Sequence, residues 1–547
     1  MARRAFEITL ALLLALGLAA CEGESGGDAD TDVDTDTDVD TDSDTDTDTD
    51  TGGLPFTLER TDVGQELTDQ EIEDFTRRLV GYWKKVDYFQ WIERISHGVH
   101  ESTGKPDYAV WWSGTTAYKE GDTIRMYHSD PDGGGHNIMI PTPRVLSSAI
   151  AGYLLTEDPK MAWVAEQYCK GITATMKGMV YDDNDPLPYL MARNVATVSH
   201  TYTTNEGHSK EVDYTGWHHT YEHWNTDRFP YYNNPFWGEV WVTNMRSKDD
   251  VPHIFGVVPH VTWVAEHGAD AEVREACGET LEYLQGFTKD IVDSGYLIRT
   301  KDKDGQPYAP GHSGDPERDK DAGDLGSFVE WEELLPGSEC NAMRTSALIA
   351  YGDGQGNDCG KGGINSYEDV ATSTHYYNFA IVRFFHQAHI ANALVNEDND
   401  AARTLLQGMI ERLDEYHSVR EDKLPREKSV WENDLALLAL RSAAFGLPLT
   451  SQEARMIVEN WGMGVDEFKA WPNYDLWDAS IGEGQQSYRP GHSKMVDEVK
   501  EEWTRIEDMA LPLEYCYSPY KNPAGARFID CEIVKDPTQW DETVIDD

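Results

Sequence analysis

PRVLSSAIAGYLLTEDPKMAWVAEQYCKGITATMKGMV, residues 143–180, decides the fold. It reads as two helices, about Pro143–Leu155 and Pro159–Val180, broken by Glu157-Asp158-Pro159. The same arrangement recurs along the chain. One pair runs about Pro252–Glu266 and Ala271–Val292, broken at Gly268, with apolar stripes at Ile254, Val257, Val261 and Val264 and at Val273, Cys277, Leu281, Leu284 and Ile291. Another runs about His375–Val395 and Asp400–His417, broken by Asn396-Glu397-Asp398. A further pair covers Val430–Phe445 and Ser451–Asn460, joined through Gly446-Leu447-Pro448. Nearer the start, Thr68-Asp69-Gln70-Glu71 has the capping-box pattern, followed by a stripe at Ile72, Phe75, Leu79, Trp83 and Val86.

Successive antiparallel helix pairs must bury their stripes on one another. The spacing between pairs is irregular, which argues against a tandem solenoid with a fixed period. No Pro/Gly/Ser linker divides residues 54–547, so they read as one domain. The expected class is mainly α: an α/α toroid of paired helices, with long loops and a few short strands such as Gly238–Thr243 and Tyr296–Thr300, the second turning at Asp304-Gly305. In helix rhythm this resembles the toroids of many glycoside hydrolases, polysaccharide lyases and sugar epimerases. The resemblance carries no family motif, so it assigns no catalytic residue.

The first fifty residues speak to location. Arg3 and Arg4 precede an apolar run from Ile8 to Leu18, too short to span a bilayer and suited to a signal sequence. Leu18-Ala19-Ala20-Cys21 follows and resembles the lipobox of bacterial lipoproteins. The resemblance implies a signal peptide over 1–20, acylation at Cys21, and a membrane partner reached through that lipid. The protein is then expected in the cell envelope, lipid-anchored to the outer membrane and facing periplasm or cell surface. Asp alternates with Thr from about Asp28 to Thr51, which predicts a disordered acidic tether over 21–53.

The formal charge is −53, and the tether from Glu22 to Asp50 holds only 14 of the acids, so the folded part is itself strongly negative. Such a surface repels nucleic acid, which is excluded as a partner. It also disfavours a polyanionic glycan unless one cleft reverses the sign locally. Setting Cys21 aside leaves six cysteines, an even number that reads as disulfides in an exported protein. Short loops suggest Cys340–Cys359 and Cys516–Cys531, which leaves Cys169 with Cys277.

The candidate site is the segment from Ser199 to Asp250, dense in aromatic, histidine and acidic residues. Flat rings with polar edges suit sugars, so Trp217, Trp224, Tyr231, Trp237 and Trp241 are expected to bind a glycan substrate or ligand. A glycoside hydrolase needs two carboxyl groups across its cleft, and Glu222, Asp249 and Asp250 are the candidates. Asp249 or Asp250 can equally cap the helix expected near Pro252. A lyase needs a proton-accepting base and a cation for a carboxylate, which Arg246, Lys248, His253 and His260 offer. His219-Thr220-Tyr221-Glu222-His223 resembles the H-x-x-E-H pattern of inverted zincins; with His218 it leaves a transition-metal site and a metal-dependent hydrolase as another reading. Asp302-Lys303-Asp304-Gly305 and Asp130-Pro131-Asp132-Gly133 resemble fragments of calcium loops without the closing Glu, which leaves structural Ca²⁺ open. The expected function is a surface-anchored carbohydrate-active enzyme, glycoside hydrolase before polysaccharide lyase. The alternative from another class is a non-catalytic surface glycan-binding lipoprotein.

Overall fold

A computed structural model describes residues 54–85, 88–89, 92, 115–120, 123–128, 139, 141–180, 185–192, 194–197, 199–203, 209–213, 228–234, 238–243, 250–293, 299–301, 307–308, 388–419, 435–469, 485–487 and 511–545. These are mainly helical. Helix α1 (Asp69–Lys85) begins at the expected capping box: the Thr68 N–H donates to Glu71 Oε2 at 2.7 Å, and the Glu71 N–H donates to Thr68 Oγ1 at 3.2 Å. Ile72, Phe75, Leu79 and Trp83 are buried along one face, while Val86 lies outside the described residues. Thr68→Ala is expected to lower stability by about 1 kcal/mol, the usual loss on removing an N-cap, read from the midpoint of urea unfolding. An unchanged midpoint would mean that tertiary packing alone holds this helix start.

The hairpins follow one local logic. Helix α2 (Pro141–Thr156) ends at Glu157, which adopts φ 55°, and Asp158 then accepts the N–H groups of Lys160 and Met161 to open α3 (Pro159–Met176). The left-handed residue reverses the chain, and the aspartate satisfies the first bare donors of the next helix. Helical residues 388–395 lead in the same way through Glu397, at φ 58°, and Asp398 into α7 (Asn399–Val419). Residues 435–443 turn at Gly446, at φ 110°, and a second capping box, Thr450 with Glu453, opens α8 (Ser451–Lys469). In the remaining hairpin the sequence predicts one first helix, but there are two, α4 (Asp250–Phe255) and α5 (Val258–His267). Pro259 provides the physical reason, since it restarts the helix in its first turn. Asp270 then caps α6 (Ala271–Asp293).

Burial differs along the helices. Residues 142–153, 388–394 and 435–443 are buried on every side, and α3 is buried over most of its length, whereas α5 exposes Glu266 and His267 at its end. Helices α6, α7 and α8 instead alternate buried and exposed positions. A helix apolar all round belongs to an interior, and an amphipathic one belongs to a rim. First helices meet first helices, as α2 does α5, and second helices meet second helices, as α3 does α6. The α3–α6 contact is covalent: Cys169 and Cys277 form the expected disulfide, with Cα atoms 5.1 Å apart, and Thr173 and Thr280 hydrogen-bond one turn away.

Strands occupy more of the 194–250 interval than the sequence predicts. β3 (Asn194–Thr197), β7 (Gly238–Thr243) and β6 (Arg228–Asn234) form one antiparallel sheet, and β4 (Ser199–Thr203) pairs with β5 (Ser209–Asp213). The β7 limits are those expected. The extra pairing reflects β-branched and aromatic residues that suit a pleated surface, although Asn, Gly and Pro punctuate them. Val242 sits in a small core with Ala174, Met179, Leu187, Leu190 and Ala192, which anchors this sheet beside the end of α3. A second sheet runs β1 (Thr115–Glu120), paired with β2 (Thr123–His128) on one side and β10 (Gln485–Ser487) on the other. β8 (Thr300–Lys301) pairs with β9 (Pro307–Tyr308), while 294–298 and the expected turn at Asp304-Gly305 lie outside the described residues. Lys301 is fully buried against Asp185 and donates to the Met179 carbonyl.

The C-terminal stretch contains helices as well. α9 (Leu511–Tyr517) lies on α2, and the Cys516–Cys531 disulfide joins it to α10 (Cys531–Val534) with Cα atoms 5.3 Å apart. Beyond α9, Asn522 donates to the Gly446 carbonyl and the Ala526 N–H donates to the Leu449 carbonyl. Trp540 then packs on Trp83 and Phe89, with ring centroids 5.5 and 5.7 Å away. The chain end thereby joins the last hairpin to α1. Among the described residues, no helix is long and apolar enough to cross a membrane.

Candidate active site

Polar side chains are costly inside a bundle unless they are paired or used. Five of them converge where the first helices of separate pairs meet. Arg144 and Ser147 come from α2, His253 from α4, His260 from α5, and Arg441 from residues 435–443; with Pro143 and Gly256 they line one narrow crevice. All five are under a tenth exposed. The described lining thus holds two guanidinium groups and two imidazoles, and no carboxylate.

His260 is the best-defined member. Its Nδ1 lies 3.4 Å from Ser147 Oγ, on the crevice side. Its Nε2 lies 3.3 Å from Glu514 Oε2, an ion-pair distance, although the approach is off the line of a good hydrogen bond. Glu514 belongs to α9 and is 1 % exposed, so the C-terminal stretch completes the surroundings of this histidine. On the remaining sides stand Trp263 and Phe445, with ring centroids 5.3 and 6.3 Å from the imidazole. These rings stack on each other and keep water from that side. Burial pushes the Tyr517 phenol up to about 12, with Glu266 adding to it, and burial likewise raises Tyr520. Neither is a tyrosinate near neutral pH, so imidazole is the group of this neighbourhood suited to accept a proton there. The order serine, histidine, carboxylate suggests a nucleophile relay, but the Ser147 hydroxyl donates to the Pro143 carbonyl at 3.0 Å, which directs its proton away from the imidazole.

Of the sequence candidates, His253 and His260 are brought together here. Asp250 is the first residue of α4. Tyr231 and Trp241 are neighbours in the sheet, Tyr231 opposite Val240 and Trp241 opposite Pro230 and Ala196. Trp217, Trp224, Trp237, Glu222, Asp249, His218, His219, His223, Arg246, Lys248, Cys21, Cys340 and Cys359 lie outside the described residues, as do both calcium-loop fragments. Among the described residues no three His, Cys, Asp or Glu side chains are grouped to hold a metal ion. Sequence reading missed Arg144, Ser147, Arg441 and Glu514. One signal was present for Arg441: a single cation in the otherwise apolar run Leu435-Ala436-Leu437-Leu438-Ala439-Leu440 before Arg441. A helix apolar all round is buried, so its one charge must be paired or used.

No family model matches this chain, no curated protein matches it, and no solved structure matches it.

Proposed function

We propose that residues 54–547 form an α/α toroid and that the protein is an exported, Cys21-lipidated enzyme acting on an acidic glycan by elimination. The toroid is supported by the fully buried helical stretches 142–153, 388–394 and 435–443, by the amphipathic α6, α7 and α8, and by the contacts of α2 with α5 and of α3 with α6. Export and lipidation are supported by the sequence of the first twenty-one residues and by the two disulfides.

One observation carries the choice of reaction. Arg144, Arg441, His253 and His260 meet in a crevice of a chain whose net charge is −53. Basic groups gathered in so acidic a chain support an anionic substrate. In the proposed step an imidazole of the crevice takes the proton from the carbon beside a uronate carboxylate, whose charge Arg144 and Arg441 offset. The electron pair forms a C=C bond, the bond to the departing sugar oxygen breaks, and that oxygen is protonated by water. Hydrolysis would need paired carboxyl groups, which the described lining does not supply. The test is to incubate the purified protein with uronate-containing and neutral polysaccharides. Ultraviolet absorbance of an unsaturated uronate product, from acidic polymers only, is the expected result. New reducing ends without that absorbance would replace elimination by hydrolysis, and neither product from any polymer would remove the enzyme reading.

A further inference from the structure

A second opening lies away from the crevice, where the strap that precedes α1, residues 54–68, meets the turn into α8. It is a cleft of about 730 Å³. Ligand sites usually fall between roughly 300 and 1,000 Å³. One wall is the strap itself. Phe56 and Leu58 are buried and the Arg60 side chain is 5 % exposed, while Thr57, Glu59 and Thr61 face out. Alternation with a period of two marks an extended chain, whose N–H and C=O groups project sideways. Among the described residues, no main-chain hydrogen bond joins residues 57–61 to another backbone group. The strap is therefore held by its inward side chains, and it offers an unpaired edge to which a second extended chain can add.

The remaining lining decides what kind of chain. Ile72 and Leu449 are buried and Leu67 is half-buried, so part of the cleft is apolar. Most of its charged groups are already committed: Asp62 to Ser451, Arg60 to Glu453 and Asp414, and Arg527 to Asp69. Glu59 and Glu66 are exposed, and their carboxylates make no hydrogen bond or ion pair among the described residues. The charge left to a guest is therefore negative. We propose that this cleft is a docking site for an extended, positively charged peptide segment. The segment pairs its main chain with residues 57–61 and sets its cations against Glu59 and Glu66, while its apolar side chains meet Leu67, Ile72 and Leu449. The cleft shares no described lining residue with the crevice and does not depend on the reaction proposed there.

The experiment uses the full folded chain and a fluorescent peptide of alternating Lys and Val. A Glu-Val peptide and a Lys-Val peptide with N-methylated backbone serve as controls. Anisotropy measures affinity, and amide hydrogen exchange locates the contact. The amides of residues 57–61 are expected to exchange fast in the free protein and to slow when the Lys-Val peptide binds. The Glu-Val peptide should not bind. N-methylation keeps the charge but removes the donors, and should weaken binding about tenfold or more. Glu59→Gln/Glu66→Gln removes two exposed acids from a chain of net charge −53, so attraction by the whole surface would survive it. A docked peptide should instead lose about fivefold, the usual worth of two exposed ion pairs. Slow exchange of 57–61 in the free protein, or peptide protection confined to other residues, would overturn the proposal. So would unchanged affinity of the N-methylated peptide or of the double variant, or no binding at millimolar peptide.

Discussion

Replacing Cys169 and Cys277 together by alanine is expected to lower the unfolding free energy by about 4–5 kcal/mol. The two cysteines are 108 residues apart, and closing so long a loop removes much of the freedom of the unfolded chain. Both side chains are fully buried, so alanine is the right replacement; serine would add a buried hydroxyl and confuse the result. The Cys516–Cys531 bond closes a 15-residue separation, and its removal is expected to lower stability by about 3 kcal/mol. Urea unfolding of the two double variants, side by side with the unmutated protein, measures both. If the long-loop variant lost less than the short-loop one, the packing of α3 on α6 would be carrying the contact without the bond. Exposure sets the order of reduction: Cys531 is half-buried while the other pair is inaccessible, so a mild thiol should open Cys516–Cys531 first.

The second large effect is expected at Glu453, where the N-terminal strap meets the last hairpin. Arg60 grips this carboxylate with both terminal nitrogens, at 2.5 and 2.8 Å, and also reaches Asp414 at 3.0 Å. His417 approaches Glu453 at 3.3 Å, and the Thr450 N–H donates to it at 3.0 Å. Arg60 and Glu453 are 5 % and 1 % exposed, so Glu453→Ala leaves a buried guanidinium with the solvent-facing Asp414 and the Pro448 carbonyl beside it. Breaking a buried pair from one side costs roughly 3–5 kcal/mol, whereas replacing both partners by apolar residues is often close to neutral. Arg60→Met/Glu453→Leu should therefore recover most of what Glu453→Ala loses. Equal losses in the single and double variants would show that shape, not charge, holds the strap.

The same group carries a pH signature. Burial works to raise the Glu453 carboxyl, but the bonds from His417, Arg60 and the Thr450 amide prevail and hold it below its ordinary value of 4.5. A carboxyl lowered on folding gives stability that is complete above its unfolded value and is lost as pH falls through the folded one. Asp62, held low by Ser451, acts in the same direction. The melting temperature should thus stay level from neutral pH down to about 4.5 and fall below it, with a shallower acid limb in Glu453→Gln.

Local chemistry was legible in the residues. Thr68 and Glu71 lie three apart, so their mutual caps follow from spacing alone. Glu157-Asp158-Pro159 and Asn396-Glu397-Asp398 announced two chain reversals, although a left-handed glutamate in each is a conformation that glycine adopts more easily. The cysteine pairings for Cys169–Cys277 and Cys516–Cys531 followed from elimination on loop lengths. The stripe at Val257, Val261 and Val264 was legible too, but the break before Val258 was not, because a proline in the first turn starts a helix as readily as it ends one.

The crevice belongs to the other category. Ser147, His260, Arg441 and Glu514 lie far apart in the chain, and neither Ser147 nor Glu514 stands out from its neighbours. Sequence by itself determined what neighbouring residues decide among themselves: helix starts, reversals and apolar faces, because these depend on hydrogen bonds and periodicities spanning a few positions. Only the tertiary structure decided that two imidazoles and two guanidiniums line one crevice, with a carboxylate beside one of the rings. The cost of burying a charge depends on which other groups the fold brings beside it, and no short stretch of chain contains that information.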